Sequence, residues 1–175
     1  ISRNATCADD IDMGLNAGTD CAIPPGASAG DTRSSRTGFF HLNRIKEVAR
    51  SLMTNATALA WLNAQLTDNV NINLACNAFW SPGFGTVNFY RSNSQCRNTG
   101  EIAGIFLHEW GHGMSQNDGM GSANPDEAYA DITSFLLTHN SCIGRGFLKL
   151  QNCSGYGNAC LSCTGVREMD YDKLA

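Results

Sequence analysis

The sequence predicts an α+β domain in which a small twisted sheet with an edge hairpin packs on two principal helices and disulfides tie the ends. Three observations carry this: a helical apolar period after Thr37, a switch to strict alternation near Val70, and eight cysteines, six of them outside residues 22–141. Residues 1–175 read as one domain, with a loop region over 1–36 that Cys7 and Cys21 can close and a Cys/Gly-rich tail over 140–175.

Each element has its own signal. Phe40, Ile45, Val48, Ala49 and Leu52 return to one face and predict a helix over about 37–53. Asn55 is a natural cap for a shorter helix over about 57–66. Val70, Ile72 and Leu74 alternate with Asn71 and Asn73, as in a strand with one buried and one wet face. Ser81-Pro82-Gly83 signals a turn, and Val87, Phe89 and Arg91 form the second strand of the hairpin. Thr99 is the expected cap of a helix over about 100–114. Asn124-Pro125 marks the start of the next, with Asp126 and Glu127 at its positive dipole end, running to about Thr138.

Composition excludes several function classes. The net charge is −4 and the 12 Lys and Arg are scattered, which leaves no basic stripe for a nucleic-acid backbone. No apolar run approaches the ~20 residues of a membrane span. An even number of cysteines suits disulfides in an oxidising, extracellular compartment. Cys7 with Cys21, Cys76 with Cys96, and Cys142, Cys153, Cys160 and Cys163 among themselves are the local pairings expected. Cys160-x-x-Cys163 also has metal or redox spacing, but no second pair completes a zinc ribbon. Residue 1 is Ile, so the chain reads as a mature or excised product. The sequons at Asn4, Asn55 and Asn152 are candidates for glycosylation. Asp9, Asp10, Asp12 and Asp20 crowd the first loop, where calcium or plain solvation are both open readings.

The chemistry concentrates at His108-Glu109-Trp110-Gly111-His112. A spacing of four places both imidazoles on one helix face, one turn apart, where they can share an ion. Glu109 is rotated roughly 100° from His108 and can serve an ion-bound water without ligating. A zinc centre of this kind needs a third protein ligand. Glu127 is the first candidate, with Asp131 one turn later to accept a hydrogen bond from a ligand histidine. Asp118, six residues after His112, is the rival; its motif needs a glycine at position 115, where this chain has Ser115.

With Asn77-Ala78-Phe79-Trp80 upstream, these blocks resemble the thermolysin-like gluzincins, secreted zinc endopeptidases, over roughly residues 70–138 and more weakly over 37–53. The resemblance implies a zincin-like fold with His108, His112 and Glu127 as zinc ligands, Glu109 as general base and Asp131 as the outer acceptor. It further implies that Asn77 and the backbone of Ala78, with Phe79 and Trp80, hold a peptide as an added strand, cleaved before a large apolar residue.

That family also stabilises its oxyanion with Tyr or His, mostly from a second, helical domain. No Tyr or His lies between His112 and Glu127. His41 and His139 read as surface or capping residues, Tyr129 faces away from Glu127, and Tyr156 is the loosely placed candidate. Three readings stay open: the 140–175 tail replaces the second domain compactly, the chain is the amino-terminal part of a longer protease that was cut and associates with its remainder or another subunit, or it is a minimal zincin. The functional expectation is a secreted, zinc-dependent endopeptidase with a peptide or protein substrate. Its alternative is a non-catalytic secreted subunit that keeps the scaffold and a structural zinc.

Overall fold

The computed structural model describes residues 2–5, 32–119, 126–149 and 163–173. The fold is mixed α+β. Strand β1 (Ser2–Ala5) pairs in parallel with β2 (Thr67–Ile72), β2 in parallel with β4 (Thr86–Tyr90), and β3 (Ala78–Ser81) lies antiparallel against β4 at the opposite edge. β1 is an addition to the expected sheet, because a four-residue strand whose partner lies more than sixty residues away leaves no local pattern.

Helix α1 spans Arg33–Leu52, four residues earlier than expected, because the Thr32 hydroxyl caps it by accepting from the Ser35 N–H at 3.3 Å. Its buried stripe is also shifted. Leu42, Ile45 and Ala49 face the core, whereas Phe40 and Leu52 are exposed, since the helix meets its neighbour at Gly38, against the Phe106 ring. Helix α2 (Ala56–Asn63) is capped as expected by Asn55, which accepts from the Ala58 N–H at 2.9 Å. The same amide donates to the Asp118 carbonyl. The nitrogen that a sequon glycan would use is therefore already engaged in the folded chain.

The alternation expected over 70–74 fails after Val70. The β2–β4 register shifts between Asn69 and Ile72, and Asn71 turns inward with φ 57°, a conformation Asn tolerates better than most residues. Fully buried, it accepts from Ser34 Oγ at 3.0 Å and Asn98 Nδ2 at 2.7 Å, while Leu74 is left exposed. The hairpin turn stands where Ser81-Pro82-Gly83 placed it, closed by the Gly85 N–H on the Ser81 carbonyl at 2.8 Å.

Helix α3 (Ala103–Asn117) follows a single 3-10 turn at Thr99–Glu101 that Asn98 caps. Thr99 is no helix cap; its hydroxyl accepts from the Tyr90 N–H at 2.8 Å and faces the Asn77 carbonyl at 3.0 Å, pinning the hairpin base. Helix α4 (Asp126–Thr138) ends at the expected residue; Asn124 and Pro125 lie outside the described residues. The core between sheet and helices holds Leu62, Val70, Val87, Phe89, Phe106, Trp110 and Met114. Trp61 lies 5.4 Å from Trp110 and 6.1 Å from Trp80 between ring centres.

Two disulfides are described. Cys76–Cys96 is the expected pair at the hairpin base, and Cys142–Cys163 joins two of the last four cysteines, which removes Cys163 from any C-x-x-C metal or redox role. Cys7, Cys21, Cys153, Cys160 and the first-loop aspartates lie outside the described residues. In the tail, β5 (Cys142–Ile143) and β6 (Arg167–Glu168) form an antiparallel clasp, and a Cys96–Leu148 bridge stitches it to the hairpin base. Among the described residues no helix is long and apolar enough to cross a membrane.

Candidate metal centre

α3 and α4 build the centre by close approach. A Cβ on Gly111 would stand 2.7 Å from the Ala130 Cα, so the glycine inside the histidine motif is what lets the two backbones meet. His108 and His112 then present their Nε2 atoms to each other at 3.1 Å. Glu127, in the first turn of α4, reaches both: Oε2 lies 3.5 Å from His108 Nε2 and Oε1 3.6 Å from His112 Nε2. The Nε2–Nε2 distance of 3.1 Å is close to the separation of about 3.3 Å that a tetrahedral ion with 2.0–2.1 Å bonds sets between two ligands, and one atom from each of the three residues lies within 4.8 Å of the others. This group could hold a metal ion. Two imidazoles with one carboxylate are a donor set for a divalent transition-metal ion.

Asp131 is placed as its spacing implied, with Oδ1 2.8 Å from His108 Nδ1. Burial would raise its carboxyl, but the hydrogen bonds from His108 and Arg167 and their charges outweigh burial and hold it below the usual range. An ionised Asp131 can only accept, so the His108 proton sits on Nδ1 and Nε2 is free for a metal. For His108 burial pulls the imidazole down, yet the bond to Asp131 and the charges of Glu109, Asp131 and Glu127 hold it above its ordinary value.

Glu109 is buried beside the two histidines, its Oε2 accepting from the backbone N–H of Trp80 at 3.0 Å. Burial pushes its carboxyl up, against the pull of His108, His112 and that N–H. The edge strand and Glu109 thus share a hydrogen bond. Trp80 is fixed in turn by its indole N–H on Gln116 Oε1 at 2.9 Å. Asn77, Ala78, Phe79 and Trp80 line one side of a cleft of about 330 Å³ whose floor holds the histidines, Glu109 and Glu127.

The remaining candidates fall elsewhere. Asp118 ends α3, its carbonyl held by Asn55, and is not in the ligand group. His41 sits on α1, packed edge-on to Phe40. His139 follows α4 with φ 51°, and Tyr129 lines a separate apolar groove with Ile45 and Met114. Tyr156 lies outside the described residues.

Two site residues escaped the sequence reading. Arg167, on β6, donates to Glu127 Oε2 at 2.6 Å and to Asp131 Oδ2 at 2.5 Å, and among the described residues lining the cleft it is the one permanent cation. No periodicity marks it, because a two-residue strand in a Cys-rich tail has none. Asp126, read as helix-end charge, has Oδ2 at 2.9 Å from His112 Nδ1. Its signal was available, since Asp131 and Asp126 flank the ligand Glu127 on one helix. No protein-family model matches this chain, and no curated protein matches it either.

Proposed function

We propose that this chain is a secreted, zinc-dependent endopeptidase of the thermolysin-like gluzincin type, with a zincin-like fold. The observation that carries the reading is the convergence of His108, His112 and Glu127 at 3.1–3.6 Å next to a buried Glu109 that hydrogen-bonds the edge strand of the same cleft. His108, His112 and Glu127 would hold the zinc, which when bound lowers the pKa of water and polarises the scissile carbonyl.

The chain's own residues do the rest. Among the described residues β3 is the outer strand of its sheet, along which a peptide can lie as a further strand from Asn77 to Trp80. Glu109, with Oε2 tied to the Trp80 N–H, has Oε1 to take the proton of the attacking water and return it to the departing amine. Arg167 supplies a cationic donor in place of the Tyr or His that the stretch between His112 and Glu127 lacks, and its position suits it to oppose negative charge developing in the cleft. Ile143, Phe147 and Val166 give the opposite wall an apolar lining, which favours a large apolar residue on the leaving side. The disulfides favour an extracellular setting.

A quenched peptide library, with and without phenanthroline, tests the reading: cleavage should depend on the metal. Glu109→Gln should keep one equivalent of zinc and lose cleavage by several orders of magnitude. A variant that turns over at the wild-type rate would remove Glu109 as base. Zinc uptake without any turnover by the wild-type protein would favour a structural zinc in a non-catalytic subunit.

A further inference from the structure

We infer that Asp126 is a positioning residue for His112, the counterpart of Asp131 on His108, so that each ligand imidazole is backed by its own carboxylate. The inference rests on the metal reading of the centre and not on peptidase activity.

The two contacts are alike in length, 2.8 Å for His108 Nδ1 to Asp131 Oδ1 and 2.9 Å for His112 Nδ1 to Asp126 Oδ2. They differ in alignment. The first is a formed hydrogen bond, whereas His112 Nδ1 and Asp126 Oδ1 are both buried without one. A buried ring nitrogen beside an off-line carboxylate is a bond that a small rotation of the imidazole closes.

The tautomer gives the contact its purpose. To ligate through Nε2, His112 must carry its proton on Nδ1. Its Nε2 faces His108 Nε2 at 3.1 Å, and a hydrogen bond between the two would put a proton on the Nε2 of one ring. His108 has its proton drawn to Nδ1 by Asp131. Asp126 is the acceptor placed to do this for His112 once the ring rotates onto it. The two carboxylates are not equivalent: Arg167 neutralises Asp131 directly, whereas the residue set against Asp126 is an imidazole, neutral when it ligates through Nε2. The charge of Asp126 therefore adds to the attraction for a cation.

A helix-end charge of the ordinary kind would also sit at Asp126, and the experiment separates the two roles. Zinc affinity of the full chain is measured by competition with a chromophoric chelator for wild type, Asp126→Ala, Asp126→Asn and Asp131→Ala, with a metal-free melt of each. The His112 tautomer is read by imidazole ¹⁵N shifts in the metal-free protein. Asp126→Ala should weaken zinc by about 10–100-fold, as loss of an outer hydrogen-bond partner typically does, and shift His112 away from the Nδ1–H form. Asp126→Asn, which keeps an acceptor oxygen, should recover the tautomer and most of the affinity. A zinc affinity within twofold of wild type in Asp126→Ala, with an unchanged tautomer, would overturn the inference and leave Asp126 as helix-end charge. If the wild-type chain takes up no zinc, the metal reading fails, while the tautomer of His112 in Asp126→Ala still decides whether Asp126 sets it.

Discussion

The α3–α4 pair brings its ligand atoms together by packing, whereas the β5–β6 clasp delivers Arg167 by a cross-link and by charge. Trp110, Met114, Phe106 and Ala130 bury the helix pair in the main core, and Gly111 sets its separation. The clasp has strands of two residues, too short to be stable alone. It is held by Cys142–Cys163, by the Val166 N–H on the Ile143 carbonyl at 2.8 Å, and by Arg167 on Glu127 and Asp131. Gly165 does for the clasp what Gly111 does for the helices, since a Cβ there would stand 2.0 Å from the Ile143 carbonyl oxygen. The lesson is that the helix pair and the clasp have different supports, joined where Arg167 meets Glu127 and Asp131.

The largest expected effect breaks the clasp alone. Replacing Cys142 and Cys163 together by Ser should cost about 3 kcal/mol, from the loop that the bond closes, in a denaturant melt. Zinc affinity should fall by no more than about 10-fold, because the three ligands stand on helices. A complete loss of zinc binding would show that the two supports are one. Gly111→Ala attacks the other side: it should cost about 2 kcal/mol through overpacking and weaken zinc more than the cysteine variant does, as read by chelator competition. Arg167→Met sharpens the contrast at the point where the regions meet. It removes one partner from a largely buried ion pair and should destabilise the metal-free protein by about 1–2 kcal/mol, with cleavage impaired more than zinc uptake.

The smallest effect is one of pH. Asp131 is held below its ordinary carboxylate value by His108 and Arg167 after opposing burial, so the unfolded chain binds that proton first. Its contribution to the metal-free fold is full above the ordinary value of 3.8 and is lost as pH falls through the lower folded value. In denaturant melts at pH 6 and pH 3, the difference between wild type and Arg167→Met should be smaller at pH 3; an undiminished difference would place the stabilisation elsewhere.

What was legible in the sequence follows the same division. His108, His112, Glu127 and Asp131 sit at helical intervals, and a helix turns an interval into a direction, so their convergence could be anticipated. The Cys76–Cys96 pair and the hairpin turn were local and equally readable. Arg167 was not, because its position depends on which cysteine Cys163 joins, and connectivity is a property of the fold rather than of spacing. Asn71 misled for a related reason: alternation assigns a face only while the register holds, and here a buried network with Ser34 and Asn98 repays the break. Helix α1 began early because Ser34 and Ser35, polar by type, are buried by position.

The tryptophan cluster has an experimental consequence. Trp61, Trp80 and Trp110 are the chain's three tryptophans, and they stand together where the edge strand meets the helix that carries Glu109. Intrinsic emission from this molecule is therefore a local signal, arising from a cluster whose Trp80 is hydrogen-bonded to Glu109 through its backbone N–H. Occupation of the cleft by a metal or a peptide should register as a spectral change without any label, and at a different concentration from the change that reports global unfolding.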